Sequence, residues 1–276
     1  MSALKSLHQQ AYQALMVETI EQKSALIDQM QRATYLLDQT DPGKQDLQHI
    51  QDVEQPGQPP HLEFVHPRAL KRRRLTSEEG RACFLHAIAH IEFNAVNLAL
   101  DAAYRFRGMP GAFYDDWLRV AGEEVRHHDL LLERMQALGY EYGDFPVHDG
   151  LWEVARKTSY SLLSRMALVP CVLEARGLDV TPPMIQKLFK VGDADSAYIL
   201  QIILDEEVDH VAIGVRWFNF ACRGEGLDPV DCFTELVKVH LPNRIQAPVN
   251  KTQRLAAGFT AEWLERLTLL STGDFH

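Results

Sequence analysis

Two Glu-x-x-His motifs are the residues of this chain best suited to chemistry, because a carboxylate and an imidazole can bind one metal ion together. Each motif follows a lone glutamate, which lies 32 residues upstream in the first case and 33 in the second. The two sets are Glu92, Glu124 and His127, and Glu174, Glu207 and His210. Residues three apart on an α-helix lie on the same face, one turn away from each other. One metal half-site is therefore encoded twice.

Four long helices are predicted to position these residues. Capping residues and glycines flank the apolar periodicity, and they place helix A from about Ser77 to Arg107. Helices B, C and D are predicted over about 113–138, 151–176 and 194–222. Gly177 is expected to end helix C, and Thr181-Pro182-Pro183 is expected to begin a separate short helix.

The candidate ligands fall on the apolar faces of these helices. On helix B the inward series, in steps of four and three, is Phe113, Trp117, Val120, Glu124, His127 and Leu131. On helix D it is Leu200, Ile203, Glu207, His210, Gly214 and Trp217. The lone glutamates take apolar positions on helices A and C. Most of the neighbouring polar residues are predicted to point outward or to support the ligands: Glu123, His128, Glu206 and Asp209.

Four glutamates on inward faces need compensating positive charge. Burying one unpaired carboxylate costs several kcal/mol even after relaxation, and no inward Lys or Arg series matches them. Two divalent ions balance four glutamates when the two histidines are neutral. Carboxylate and imidazole suit iron or manganese, whereas a structural zinc site usually brings thiolates. The sequence therefore predicts two iron ions, with manganese or a mixed Mn/Fe pair as the alternative.

The same ligand set indicates the fold. One glutamate from each of two helices and Glu-x-x-His from each of the other two is the arrangement found in dinuclear four-helix bundles. Glu174 lies 50 positions after Glu124, which exceeds the spacing within either half. We therefore expect an all-α fold built on a four-helix bundle with a long crossover between helices B and C.

The rest of the chain is predicted to flank this bundle. The proposed organisation is an N-terminal helical segment (1–45), a Pro-rich and basic segment (46–76), the bundle (77–224) and C-terminal helices (225–276). The first segment reads as one helix over about 4–38, ended by TDPGK at 40–44. Helical stretches over about 229–239 and 250–270 are expected to be separated by Pro242 and Pro248.

Composition sets the cellular context. The 276 residues are 46% hydrophobic and 24% charged, as in an ordinary globular protein, and the formal net charge is −10. That charge disfavours general attraction to nucleic acid or anionic lipid. The N-terminal sequence lacks the apolar core of a signal peptide, and the four cysteines form no Cys-x-x-Cys pair. We expect a cytoplasmic protein with reduced cysteines and no membrane association.

The order Glu, Glu-x-x-His, Glu, Glu-x-x-His resembles the ferritin-like superfamily over about residues 78–223. Four strings look like the uncharacterised bacterial family called domain of unknown function 455: FLHAIAHIEFNAVNLALD, EEVRHH, LEARGLD and DEEVDH. The resemblance implies a ferritin-like fold and the same six metal ligands. It implies no substrate.

The leading functional hypothesis is a di-iron oxidoreductase, an O2-dependent oxidase or monooxygenase. Its partners would be O2, a small organic or nucleoside-like substrate and, for an oxygenase, an electron donor. Glu124 and Glu207 are the expected bridging ligands, with Glu92 and Glu174 terminal. Two alternatives are a ferroxidase or metal-handling protein and a bundle with purely structural metals. The appended segments favour a monomer or dimer over a cage.

A basic run over 68–74 adds an RNA substrate to the possibilities, because Lys and Arg clusters engage phosphates. Given the acidic chain as a whole, a solvated segment is the preferred interpretation of that run.

Overall fold

The computed structural model describes residues 6–34, 50–71, 73–241, 245–247 and 249–272. Within these ranges the chain forms helices joined by loops, and the strand-like pairing is limited to one isolated bridge between Phe64 and Val147. The all-α prediction is confirmed. The chain divides into two compact units, Met1–Arg156 and Lys157–His276.

The first unit is built on a helical hairpin. Its helices are α1 (Leu7–Met16), α2 (Ile20–Thr34), α3 (Glu78–Arg105), α4 (Gly111–Ala137) and α5 (Gly150–Lys157), with a 3-10 turn over Pro67–Ala69. A short connection joins α3 to α4, and these two helices pack closely, while α1 packs on α3 and α2 on α4. The Ser77 hydroxyl caps α3 by accepting from the Gly80 amide. Helices A and B were thus predicted to within two residues at each end.

The N-terminal segment is two helices and not the single one predicted. The chain is extended at Val17, which ends α1. The Lys23 side chain, on α2, donates to the carbonyls of Ala14 and Leu15 at distances of 3.2 and 2.9 Å. The signals for two starts are in the sequence, because Ser6 with Gln9 and Thr19 with Gln22 exchange the hydrogen bonds of a capping box. The TDPGK turn lies outside the described residues.

The second unit contains the other helical hairpin. Its elements are α6 (Leu162–Leu168), a π turn (Val169–Glu174), α7 (Ala175–Lys190), α8 (Ala194–Glu225), α9 (Pro229–His240), α10 (Lys251–Ala256) and α11 (Ala261–Thr272). Helices α6 and α7 both pack on α8. Helix D, now α8, begins after the capping residue Asp193 and ends at Gly226, whose φ of 69° is left-handed. The stretch predicted over 250–270 is divided at Gly258, which has a φ of 90°. Pro242 and Pro248 lie outside the described residues.

The prediction for helix C was wrong in two respects. The helix is interrupted before Ser161, which caps α6, and it does not end at Gly177. Helix α7 continues through Pro182 and Pro183 to Lys190. Proline has no N–H, so the carbonyl of Leu178 has no helical donor. The side-chain amide of Asn250 donates to that carbonyl at 3.1 Å, which replaces the missing hydrogen bond.

Helix α3 is long and apolar enough to cross a membrane by length and composition, but 72% of its most apolar window is buried inside the protein. A buried core helix passes the same test. Its buried polar residues, which include His86, Glu92 and Asp101, also fit a core helix.

Candidate metal centre

The first half-site is assembled by the α3–α4 hairpin. Glu92 on α3 and Glu124 and His127 on α4 each offer a ligand atom, and these atoms lie within 4.8 Å of one another. The Nδ1 atom of His127 is 3.2 Å from a carboxylate oxygen of Glu124 and 3.5 Å from one of Glu92. All three residues are buried. The structure thus brings together the three predicted residues of the first set.

The two buried carboxylates of this half-site favour a positive charge beside them. Burial alone would lower the pKa of His127, but the Glu124 and Glu92 carboxylates raise it to about 11. The imidazolium therefore carries one positive charge between two buried carboxylates at neutral pH. A divalent ion would supply more positive charge and would displace that proton, since a metal ligand must be neutral imidazole. The donor set fits a hard or borderline divalent metal.

The second half-site has two of its residues on one turn of α8. The Nδ1 atom of His210 lies 3.5 Å from a carboxylate oxygen of Glu207. The His210 side chain is fully buried, while that of Glu207 is 13% exposed. The i, i+3 spacing places both on the face that includes Ile203 and Gly214, as the helical periodicity predicted.

Glu174, the third residue of this set, is the last residue of the π turn. A π turn is wider than an α turn, and such turns are frequent at functional sites. Pro170, the second residue of the turn, has no N–H to donate, and the helix is distorted there into the π turn. Glu174 is partly buried, and it lies near enough to Cys171 to influence the pKa of that thiol. Burial is the larger influence and raises the pKa of Cys171 well above its usual range.

The alternative ligands weighed from the sequence are mostly on outer faces. Glu123 and Glu206 are half-buried and Asp209 is exposed, as predicted. His128 differs, because it is buried and packs edge-on against the ring of Tyr142, at 5.1 Å between centroids. The Tyr142 hydroxyl is 2.7 Å from Nδ1 of His90. His128 is therefore part of an aromatic and histidine cluster with Tyr142 and His90.

This cluster and Lys23 are features that the sequence interpretation missed. Tyr142 lies in a loop, where no periodicity indicates burial. Six polar residues form a stripe on α3, in steps of three and four, that the structure shows to be buried: His86, His90, Asn94, Asn97, Asp101 and Arg105. A polar stripe alone would indicate a solvated face, but α3 is apolar enough overall to pass the length and composition test for a membrane span, which is typical of a helix buried all round.

The chain matches the family described as "Protein of unknown function (DUF455)" over residues 16–265. It belongs to this family. An "Uncharacterized protein" of Haemophilus influenzae is 47% identical over 209 residues, which cover 73% of each chain. No solved structure matches the chain. The resemblance to this family is confirmed, and all six candidate ligands lie within the matched residues.

Proposed function

We propose that this member of the family is a dinuclear metal carboxylate protein, with iron as the metal and oxidoreductase activity as its function. In this proposal the protein is ferritin-like, and its six candidate ligands hold one pair of ions. The observation that carries it is the first half-site: two buried carboxylates and a buried imidazole whose ligand atoms lie within 4.8 Å of one another.

The second half-site supports the proposal by its chemistry. It repeats the residue types and the helical spacing of the first, with Glu207 and His210 on one turn of α8 and the lone Glu174 at the end of the π turn that precedes α7. Six ligands of this kind, four carboxylates and two imidazoles, would hold the two ions. Bound ferrous ions would supply electrons to dioxygen. The surrounding residues would exclude water and fix the ligand orientations.

The substrate class that we favour is a small organic or nucleoside-like molecule, oxidised by an oxidase or hydroxylated by a monooxygenase. A hydroxylase would also need an external electron donor. The alternatives are a ferroxidase, which oxidises Fe(II) without an organic substrate, and a protein with structural metals. We further propose a cytoplasmic location and a monomeric or dimeric state.

Metal stoichiometry tests the proposal directly. Protein purified after growth in iron-supplemented medium, or reconstituted anaerobically with Fe(II), should contain two ions per chain by elemental analysis. His127→Ala and His210→Ala should each lower that content. Glu123→Gln and Asp209→Asn are matched controls, because these acids adjoin ligands but are not in the ligand set. A wild-type protein that takes up no transition metal contradicts the proposal.

Oxygen reactivity separates the alternatives. The ferrous protein mixed with air-saturated buffer should consume O2, as measured with an electrode, and should develop ferric absorption. Continued uptake of Fe(II) beyond two ions per chain would favour metal handling. A metal that stabilises the protein but leaves O2 untouched would indicate a structural role.

A further inference from the structure

The π turn that carries Glu174 is held against α8 by an unusually close contact. A Cβ atom built on Gly214 would lie 2.2 Å from Cβ and 2.5 Å from Cγ of Pro170. The proline ring therefore rests on the bare backbone of α8, and no residue with a side chain fits at 214 without a shift. Glycine weakens a helix interior, so this contact gives a physical reason for a glycine at that position.

The position of this contact along α8 links it to the half-site. Gly214 lies one turn after His210 and two turns after Glu207, on the same face of the helix. Pro170 lies four residues before Glu174 in the π turn. The contact thus fixes how far the backbone that carries Glu174 stands from the helix that carries the other two residues.

A second anchor holds the other end of the π turn. Arg254 on α10 donates to the carbonyl of Ala175, the residue after Glu174, at 3.2 Å. The same guanidinium forms a buried two-pronged pair with Asp179, with N···O distances of 3.0 and 2.8 Å. A bidentate pair of this kind fixes orientation as well as distance. The first turn of α7 is therefore tied to the C-terminal part of the same unit.

The geometry points to Pro170, Gly214 and Arg254 as positioning residues that set the orientation of the Glu174 carboxylate toward Glu207 and His210. This inference rests on the proposed metal-binding function. In it, the π turn supplies the phase that brings Glu174 toward α8, and the two anchors keep that turn from relaxing into a regular α-helix.

Gly214→Ala tests the first anchor, and Gly224→Ala is its matched control. Both glycines lie in α8, but a Cβ at Gly224 meets nothing within 4 Å. Wild-type and variant proteins would be titrated with Co(II), whose visible absorption reports coordination, and with Fe(II) in competition with a chelator. We expect Gly214→Ala to weaken binding of one of the two ions by about 10- to 100-fold, as for other residues that orient ligands, and to alter the Co(II) spectrum. Gly224→Ala should behave as wild type.

Two further variants keep the test decisive if Gly214→Ala fails to fold. Pro170→Ala removes the ring and leaves Gly214 in place, and Arg254→Lys keeps the charge but loses the two-pronged pair. Each should weaken the same ion and change the same spectral bands. If folded variants bind two ions with wild-type affinity and spectrum, the inference is overturned while the proposed function stands. If the wild-type protein binds no metal, the proposed function fails first.

Discussion

His127 is held between two carboxylates, so its charge matters even when no metal is bound. His127→Gln removes that charge with little change in size. We expect it to lower the free energy of unfolding of the metal-free protein by about 3 kcal/mol, because removing one partner leaves buried charge uncompensated. Urea unfolding in the presence of EDTA measures the effect. The neighbouring Glu123→Gln should change stability by less than about 0.5 kcal/mol, and an equal loss in both variants would refute the explanation.

Lys23 is expected to make the stability of the protein depend on pH, in the direction opposite to that expected for His127. Burial lowers the pKa of Lys23 from 10.5 to about 7. Between these two pH values the unfolded chain binds more protons than the folded one, so the contribution of Lys23 to stability rises with pH across that window. Below pH 7 the folded protein carries the full cost of a buried ammonium. His127 acts in reverse, because its raised pKa gives stability that is lost as pH rises toward about 11.

Comparison of wild type with Lys23→Met isolates the lysine contribution. Unfolding free energies of the two metal-free proteins would be measured at pH 6.5 and pH 9. The wild type should gain stability relative to the variant as pH rises, and the difference should level off once the pH exceeds 10.5. A pH-independent difference would show that Lys23 keeps an ordinary pKa and serves only to cap α1.

At the level of elements, Asn250 supports the passage of α7 through its two prolines. Its side chain donates to Leu178 and its oxygen caps α10 by accepting from the Gln253 amide. Asn250→Ala should lower the free energy of unfolding by about 1–3 kcal/mol, since a buried carbonyl loses its donor. Pro182→Ala supplies an N–H to that carbonyl. It should therefore restore part of the loss, and a double-mutant cycle measures the coupling.

The same contact explains why the extent of α7 could not be predicted from the sequence, whereas other helices could. Helices α3, α4 and α8 have local stop and start signals, and their predicted bounds lie within a few residues of the observed ones. Helix α7 is continuous through two prolines because a side chain 72 residues away from Leu178 replaces a backbone donor. A local pattern contains no information about such a partner.

The candidate site divides in the same way. The inward phase of Glu124, His127 and His210 was predictable, because apolar neighbours at helical spacing define the buried face. The burial of His128 was not, because it depends on the loop that brings Tyr142 over α4. Glu174 was identified by its spacing from Glu207 along the sequence. The π turn nevertheless changes its phase relative to a regular helix.

For the whole molecule, bound metal should appear as added stability, because an ion that binds the folded chain and not the unfolded one shifts the equilibrium toward the folded state. The metal-free protein should therefore melt at a lower temperature. Free metal at about 1,000 times its dissociation constant should add about 4 kcal/mol of stability. Differential scanning calorimetry with and without EDTA tests this. Identical profiles in both conditions would argue against a metal bound to the folded protein.

The hydrogen bond from Asn250 to Leu178 also bears on how small this protein can be made. A shortened chain that kept only residues 77–224 would retain every candidate ligand and would look sufficient for spectroscopy. It would nevertheless lack the donor for Leu178 and the guanidinium that grips Ala175 and Asp179. Such a fragment is expected to bind metal more weakly at Glu174. Weak metal binding by the fragment would then reflect the truncation and not the natural centre.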